Sequence, residues 1–444
     1  MKNLKASDLE KLLLVDSLEK AARFINNNKS FITNIYKIPL YNDEPKIFAY
    51  SALYKLKYKY NKDIASGFSF NKKIALIRVL GEAIERYCLD HYAPKALFVG
   101  SSERLKFPHL DPLRIVVFSK KQLRKKSFEI FRINKNSKFK WVHGLSLTQK
   151  QERLIPVQLV AMNYARIKNE PLILFPISTG AAAGTSLQSA IYRGICEIVE
   201  RDSFLISYLN KLPSPRVDLA SIADPKINEV LQICNRYKLE MIVIDLTTDL
   251  QIPAFAAIIL DRTKAGPAVS VGLKAGFNIK TSIIGAMEEA FLTRFWARDN
   301  FIYTNYSHKP KKQKNKTTIS LKENFRFWFS TDSIKYLDFW LEKKNARIFT
   351  KADVTPYRDN LEEMIELLRR KNIEILYVDI TNPRIKEYSF TVVKVIIPQL
   401  QPLYLDQRYP YFGGNRLFEV PVRLGFLEKS RQENQLNKIP HPFL

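Results

Sequence analysis

Two segments of this chain have the same spacing of acidic and basic residues. One reads ALIRVLGEAIER and the other AIYRGICEIVER, so that Glu82 and Glu85 of the first copy match Glu197 and Glu200 of the second. Side chains three residues apart on a helix lie on the same face. Each copy therefore predicts a helix that presents two carboxylates on one side.

A third segment repeats the pattern in part. The sequence SIIGAMEEAFLTR places Glu289 where the first glutamate stands in the other copies and Leu292 where the second stands. A lone Glu197–Arg201 pair would be an ordinary surface pair that contributes roughly 0.2–0.5 kcal/mol. The recurrence of the pattern in three copies favours a functional site over an ordinary surface pair.

Carboxylates from several helices form the kind of oxygen-rich site that Mg²⁺ prefers. The arginines beside them cannot bind a metal, but guanidinium groups bind phosphate through paired hydrogen bonds. A metal and a phosphate in one site indicate a magnesium-nucleotide complex. The small residues Gly180 to Gly184, just before the second helix, predict a loop whose N–H groups could bind an anion.

These motifs resemble the YcaO family. The resemblance rests on E-x-x-E-R at Glu82 and on the small-residue loop followed by E-x-x-E-R-D between Ser178 and Asp202, and it extends over roughly residues 61–425. It implies a mixed α/β (α+β) fold in which the repeated E-x-x-E helices pack on mixed sheets. It also implies an enzyme that uses ATP and Mg²⁺ to modify peptide backbone amides.

The resemblance further implies the site residues. The expected metal ligands are Glu82, Glu85, Glu197, Glu200 and Glu289, and the expected nucleotide-binding residues are Ser178, Gly184, Thr185, Glu85, Arg86, Arg201 and Arg294. Family members often have serine at the position of Arg78, asparagine at that of Thr185 and an acidic residue at that of Ser189. One metal ligand is therefore left unassigned.

The implied reaction is cyclodehydration of a ribosomally made precursor peptide. Attack by a Cys, Ser or Thr side chain on the preceding amide, with phosphorylation of the amide oxygen, yields a thiazoline or oxazoline. ATP-dependent thioamidation is the alternative within the family. A non-catalytic, Mg-nucleotide-dependent scaffold that binds peptide or RNA is the alternative from another class.

The resemblance also bears on partners. No segment resembles the leader-binding module that some relatives contain, so a separate E1-like or ocin-associated partner is expected beside the precursor peptide. A homodimer is left open.

The last five residues, PHPFL, match two of the three prolines in the P-x-P-x-P end of azoline-forming relatives. That end is thought to reach the active site, and His441 and Pro442 are accordingly expected there, with His441 handling a proton. We expect deletion of residues 440–444 to reduce ring formation severely and to leave stability nearly unchanged.

Composition narrows the remaining classes. The 444 residues include 46% hydrophobic residues, which is enough for a folded core, and the net charge of +27 comes from dispersed basic residues without a nucleic-acid-binding motif. Nucleic acid is therefore not favoured as the partner. No linker divides the chain, so we expect an N-terminal helix and strand in residues 1–60 and one catalytic domain in residues 61–444.

Cysteine usage and hydropathy indicate a cytoplasmic protein without a membrane span. Cys88, Cys196 and Cys234 are far apart in sequence, which suits buried thiols better than a zinc site or disulfides. The N-terminus predicts an amphipathic helix over Ser7–Phe24, and the basic run His308–Lys316 predicts a solvated loop.

Periodicity predicts the other elements. Strands are expected at Lys46–Tyr60, Arg114–Phe118, Leu154–Met162, Met241–Leu246, Ala254–Leu260, Ala268–Leu273, Ile373–Ile380 and Phe390–Ile397, helices at Thr281–Ala297, Ser333–Lys343 and Leu361–Lys371, and a turn at Asn61–Gly67.

Overall fold

The computed structural model describes residues 23, 31–56, 62–93, 98–115, 117–307, 321–342, 346–350, 352–354 and 360–443. The chain forms two compact units, each assembled from separate segments. The first comprises Met1–Leu40, Lys46–Ile198 and Asn360–Gln399, and the second comprises Tyr41–Pro45, Val199–Asp359 and Leu400–Leu444. The predicted division at residue 60 stays a prediction.

The described residues form both strands and helices, and runs of consecutive strands occur within residues 32–69 and 239–275. The strands are β1 (Ile32–Lys37), β2 (Phe48–Lys55), β3 (Lys62–Ser69), β4 (Phe98–Ser101), β5 (Lys138–Ser146), β6 (Gln151–Pro156), β7 (Ala181–Gly184), β8 (Arg216–Val217), β9 (Leu239–Asp245), β10 (Ala254–Asp261), β11 (Val269–Ala275), β12 (Ala346–Arg347), β13 (Leu376–Asp379) and β14 (Thr391–Ile396). The helices are α1 (Lys72–His91), α2 (Lys120–Leu123), α3 (Leu187–Asn210), α4 (Pro225–Arg236), α5 (Ile279–Ser307), α6 (Leu321–Phe329), α7 (Asp338–Leu341), α8 (Leu361–Arg370), α9 (Pro383–Lys386) and α10 (Arg416–Arg423).

The first unit begins with an antiparallel sheet in the order β1-β2-β3, against which α1 packs. Gly67 in β3 permits this close packing, because a Cβ there would lie 2.2 Å from the carbonyl oxygen of Ala75. The turn predicted at Asn61–Gly67 is wrong, since Lys62–Ser69 is a strand paired with β2 along its whole length.

A second sheet in this unit has the order β4-β5-β13-β14-β7, with β6 paired to β5. Its last strand corrects another expectation. Residues Ala181–Gly184 do not form a loop but pair antiparallel with Thr391–Lys394, because small side chains fit a buried strand as well as a turn. Only Thr185 and Ser186 remain to connect this strand to α3.

The second unit is built on a sheet in the order β11-β10-β9-β8-β12, covered by α5. Every residue of β10 is buried, which explains its uninterrupted apolar sequence AFAAIIL. The three strands predicted between residues 241 and 273 are confirmed as β9, β10 and β11, and the third motif helix is confirmed as α5, which is longer than predicted.

Other expectations meet mixed outcomes. The strand predicted at Arg114–Phe118 is wrong, because the Asp111 carboxylate accepts a hydrogen bond from Leu113 and a 3₁₀ turn follows at Pro112–Arg114. The helix predicted at 333–343 is a 3₁₀ segment at Thr331–Leu337 followed by α7. The N-terminal helix predicted over Ser7–Phe24 lies outside the described residues apart from Arg23, which is helical. The basic run His308–Lys316 also lies outside them. The mixed α/β class is confirmed.

Candidate functional site

The first motif helix holds its glutamates in a polar recess of the first unit. Asn71 caps α1 by accepting hydrogen bonds from Lys73 and Ile74, which fixes the start of the helix. Three turns later, Oε2 of Glu82 accepts a hydrogen bond of 3.0 Å from the N–H of Ser66 on β3. The guanidinium of Arg86 lies 3.5 Å from Glu82 and 4.0 Å from Glu85.

The second motif helix repeats this arrangement in the same unit. Oε2 of Glu197 accepts a hydrogen bond of 3.0 Å from the N–H of Gly180, which precedes β7. Gly180 has φ +85°, and a Cβ there would lie 2.4 Å from the carbonyl oxygen of Val395. Glycine is therefore required at this position. The Oγ of Ser186 accepts from the N–H of Ser189 at the start of the helix.

Burial and mutual repulsion make these carboxylates unusual. Burial raises the pKa of Glu85 to about 8, and the charges of Glu197 and Glu82 add to the rise while Arg86 opposes it. Burial also raises the pKa of Glu82, again against Arg86. The Glu82 side chain is nevertheless one-third exposed, so the recess is open at one side. Partly dehydrated, mutually repelling carboxylates favour a bound cation.

Sequence reasoning missed Lys394, which belongs to this cluster. It lies in the apolar strand β14 and is 5% exposed. Burial lowers its pKa to about 8, while Glu197 and Glu85 oppose the decrease. The signal was present in the sequence as a single lysine inside the run TVVKVII, since a charged residue in a buried strand requires a partner.

The third motif helix shows the same backbone contact in the second unit. Oε2 of Glu289 on α5 accepts a hydrogen bond of 2.6 Å from the N–H of Leu273 on β11. Ser66–Glu82, Gly180–Glu197 and Leu273–Glu289 are thus equivalent pairs. The first glutamate fastens its helix to the preceding strand in the first and third copies, and to the residue just before that strand in the second, which gives the sequence repeat a structural basis.

The remaining motif residues of α3 belong to the second unit. Nη1 of Arg201 contacts the carboxylate of its neighbour Glu200, and both side chains are buried. The guanidinium of Arg201 also lies over the ring of Phe443, 4.1 Å from its centroid. This distance is that of a cation–π contact.

The C-terminal tail is held in place by side chains of the second unit. Tyr208 and Trp328 donate to the carbonyl oxygen of Pro440 (2.9 and 3.0 Å), and Asn324 donates to that of His441 (2.9 Å). Residues 440–443, including Pro442, are all buried. These contacts argue against our expectation that removing this tail would leave stability nearly unchanged, because deletion would take the acceptors of the buried Trp328 and Asn324 donors, whereas Tyr208 keeps the carbonyl oxygen of Ile439.

His441 has contacts that favour anchoring over proton transfer. Its Nδ1 lies 2.8 Å from the carbonyl oxygen of Phe443 and its Nε2 lies 2.8 Å from that of Tyr404. Burial lowers the pKa of His441, although both carbonyl contacts oppose this. Its catalytic role stays a prediction.

Arg294, which was expected to bind phosphate, lies in an ion network of the second unit. Arg294 is 3% exposed and donates to Glu44 and Asp261, both at 2.7 Å, and to the carbonyl oxygen of Pro267. Its guanidinium is already neutralised in this structure, so contact with phosphate stays a prediction.

Arg416 donates to Asp202, the last residue of the E-x-x-E-R-D motif, and to Asp249. Asp202 also accepts from the N–H of Gln401, which gives this motif aspartate a structural role that the sequence did not reveal.

The predicted phosphate-facing residues flank β7. Thr185 is exposed, Ser178 is half-buried, and the carbonyl oxygen of Ser178 accepts from the N–H of Ala181. At Gly184 a Cβ would lie 2.3 Å from the Oγ of Ser189, so this glycine permits the tight passage from strand to helix.

The donor chemistry suits Mg²⁺, although the side chains are not gathered into a ligand set. In the part of the chain that the structure describes, no three His, Cys, Asp or Glu side chains converge closely enough to hold a metal ion. The first unit nevertheless places three carboxylates against two cations, Arg86 and Lys394. Small rotations of these partly exposed glutamate side chains would bring their carboxylates together. Oxygen donors are the ligands that Mg²⁺ requires.

The cysteines are buried and form no disulfide. Burial raises the pKa of Cys88 and Cys234 to about 12, so the buried-thiol interpretation is confirmed. Among the described helices, none has the length and apolarity needed to cross a bilayer.

Comparison with known proteins identifies the class as ATP- and Mg²⁺-binding enzymes. The model of the family described as YcaO cyclodehydratase, ATP- and Mg²⁺-binding, matches residues 66–401. The chain belongs to the YcaO family.

Solved structures agree with this fold. A heterocyclase in complex with substrate and cofactor matches with a TM-score of 0.77 and 22% identity, covering 95% of this chain and 57% of that one. The heterocyclase TruD matches with a TM-score of 0.63 and 25% identity, covering 82% of this chain and 50% of that one. This chain thus spans about half the length of those two proteins. YcaO from Methanopyrus kandleri bound with AMPPCP and Mg²⁺ matches with a TM-score of 0.61 and 15% identity over 90% of this chain and 95% of that one.

Two relatives by sequence have no assigned activity. An uncharacterised protein of Methanothermobacter thermautotrophicus is 24% identical over 77% of this chain and 83% of its own length. An uncharacterised protein from the tfuA 3′ region of Rhizobium leguminosarum bv. trifolii is 31% identical over 27% of this chain and 29% of its own length.

Proposed function

We propose that this YcaO protein is a cyclodehydratase that converts Cys, Ser or Thr of a ribosomally made precursor peptide to thiazoline or oxazoline. The side-chain thiol or hydroxyl adds to the carbon of the preceding amide. The amide oxygen then takes the terminal phosphoryl group of ATP. Phosphate leaves with that oxygen, ADP is the second product, and the amide nitrogen loses its proton and forms the C=N bond of the ring that the addition closed.

The observation that supports this proposal most strongly is the carboxylate cluster of the first unit. Glu197 and Glu82 add to the rise in the pKa of the buried Glu85, and Glu197 adds to that of the buried Glu82. Arg86 opposes both increases, and Lys394 opposes the one at Glu85. The cluster is suited to a divalent cation with attached phosphates. When bound there, Mg²⁺ would neutralise charge that develops on the transferring phosphoryl group.

The residue roles follow from chemistry and position in the motifs. Glu82, Glu85, Glu197 and Glu200 would hold the metal. Glu289, at the equivalent position, fastens the third motif helix, α5. Arg86 and Arg201 would contact phosphates, since a guanidinium can donate two parallel hydrogen bonds to phosphate oxygens. Ser178, Gly184 and Thr185 would lie beside the nucleotide.

The tail supports ring formation in particular. Phe443 contacts Arg201, which we place at the phosphates, so the tail approaches a residue of the proposed machinery. His441 and Pro442 would then act by fixing the tail and shaping the space beside Arg201.

The test is a reconstitution with ATP, Mg²⁺, a Cys-containing precursor peptide encoded beside the gene, and its neighbouring E1-like or ocin-associated protein. We expect peptide-dependent phosphate release and the loss of one water from the peptide per reacted residue, measured by mass spectrometry. Phosphate release that ignores the peptide, together with an unmodified peptide that still binds, would instead indicate a non-catalytic scaffold.

Backbone thioamidation is the second candidate, and one comparison favours it. The relative from Rhizobium leguminosarum is encoded beside tfuA, and we regard a TfuA-type partner with a sulfur donor as the matching system. The same reconstitution, supplied with sulfide and that partner, distinguishes the two reactions, because thioamidation exchanges oxygen for sulfur and removes no water.

A further inference from the structure

Lys394 makes two short hydrogen bonds that the proposed chemistry has not used. Its Nζ donates to the carbonyl oxygens of Ile177 (2.8 Å) and Thr179 (2.6 Å), inside the first unit. An ammonium has three N–H groups, so these bonds use two of them. A lysine that is 5% exposed and bonded in this way holds the segment 177–180 firmly.

The same segment is fastened on its other side to the second motif helix. The N–H of Gly180 donates to Glu197 (3.0 Å), and the carbonyl oxygen of Gly180 accepts from the N–H of Val395 (2.7 Å), the residue after Lys394. A continuous set of hydrogen bonds therefore runs from Lys394 through segment 177–180 to the Glu197 carboxylate. Charge supports the same arrangement, because Glu197 and Glu85 attract the ammonium electrostatically.

We propose that Lys394 is a positioning residue that fixes segment 177–180 and, through the Gly180 N–H, sets the orientation of the Glu197 carboxylate for Mg²⁺-nucleotide binding. This inference rests on the proposed role of Glu197 as a metal ligand. Partners that orient a metal ligand typically contribute 10- to 100-fold to metal affinity. Lys394 need not touch the nucleotide to have this effect.

The test replaces Lys394 with Met, which keeps the length of the side chain and removes its donors. We expect the affinity for Mg²⁺ with the non-hydrolysable analogue AMPPCP, measured by calorimetry, to fall on the order of 10-fold or more. Amide hydrogen exchange over residues 177–184 should become faster. Lys394→Arg retains charge and donors and should restore both properties in part.

A matched control is Lys140→Met on β5, because this lysine also donates to a backbone carbonyl, that of Ala165, but lies outside the carboxylate cluster. It should leave affinity and exchange unchanged. The double variant Lys394→Met/Glu197→Gln should bind Mg²⁺-AMPPCP no more weakly than Glu197→Gln alone, because both changes act on one carboxylate.

The proposal is overturned if folded Lys394→Met binds Mg²⁺-AMPPCP within twofold of the parent protein, or if exchange over 177–184 is unchanged. If Lys394→Met does not fold, Lys394→Gln, which removes the positive charge, is compared with Lys394→Arg, which retains it. These readouts are independent of ring formation. A parent protein that binds Mg²⁺-AMPPCP but forms no ring would contradict the proposed reaction and leave the role of Lys394 intact, whereas normal binding by Glu197→Gln would contradict the metal assignment itself.

Discussion

The ring of Phe443 lies under the guanidinium of Arg201, with 4.1 Å between the ring centroid and Cζ. Phe443 is the second-last residue of the chain, and Arg201 ends an E-x-x-E-R motif. The C-terminus is therefore part of the packing around a motif residue. This contact makes the tail open to two separate tests, one of stability and one of chemistry.

Deletion of residues 440–444 should lower the melting temperature markedly. Asn324 and Trp328 would each lose a carbonyl acceptor, and a buried donor left unpaired costs roughly 1–3 kcal/mol. Tyr208 would lose the Pro440 acceptor but keep that of Ile439. Calorimetry of the truncated and full-length proteins measures the effect. An unchanged melting temperature would mean that the tail is not docked in solution.

Phe443→Leu should separate stability from chemistry. Leucine keeps most of the buried apolar volume but removes the ring face, and a cation–π contact contributes about 0.5–2 kcal/mol. We expect a small loss of stability and a several-fold loss of ring formation, followed by peptide mass spectrometry. Phe443→Tyr, which retains the aromatic side chain, is the control and should preserve most thiazoline or oxazoline formation.

Glu82→Gln and Glu197→Gln should each lower ATP turnover by at least the roughly 10- to 100-fold that loss of an outer-shell partner of a metal ligand costs. In both variants the amide oxygen can still accept the backbone hydrogen bond from Ser66 or Gly180, so the fold is retained while the charge is lost. Glu229→Gln, on an exposed face of α4, is the control. Parent rates in both motif variants, with peptide and partner present, would contradict the metal assignment.

Glu85 should give the metal-free protein a distinctive pH dependence. Its pKa is raised from 4.5 to about 8 in the folded state, so the folded protein retains a proton that the unfolded chain releases. The contribution of Glu85 to stability is therefore complete below about pH 4.5 and is lost as the pH rises toward 8. Chemical denaturation at pH 5 and pH 8 should show a smaller loss for Glu85→Gln than for the parent protein. Equal losses would contradict the raised pKa.

Gly180→Ala should destabilise the protein far more than Gly425→Ala. Both glycines have positive φ, +85° and +75°, where alanine costs roughly 1–2 kcal/mol. A Cβ at Gly425 meets open space, whereas at Gly180 it would lie 2.4 Å from the Val395 carbonyl oxygen and 2.9 Å from Ile198. The difference in free energy of unfolding between the two variants measures this crowding.

The motif helices could be predicted from sequence because their information is local. The spacing of Glu82 and Glu85 depends only on helical geometry, and the same holds for Glu197 and Glu200. Lys394 could not be assigned in this way, because its partners Ile177 and Thr179 reach it only through the pairing of β14 with β7. The strand character of residues 181–184 was hidden for the same reason, since small residues have no strong preference until a neighbouring strand provides hydrogen bonds.

The first glutamate of each repeat accepts a backbone hydrogen bond from the preceding strand or from the residue just before it, and the third repeat keeps this bond although Leu292 replaces its second glutamate. If the three copies descend from one ancestral segment, their history can be inferred from this difference. The backbone hydrogen bond gives the first glutamate a role in the fold that does not depend on chemistry, so we expect divergence to fall on the second. A repeat that no longer takes part in the chemistry would therefore be recognised by the loss of its second glutamate. Its first glutamate would still allow it to be aligned with the other repeats.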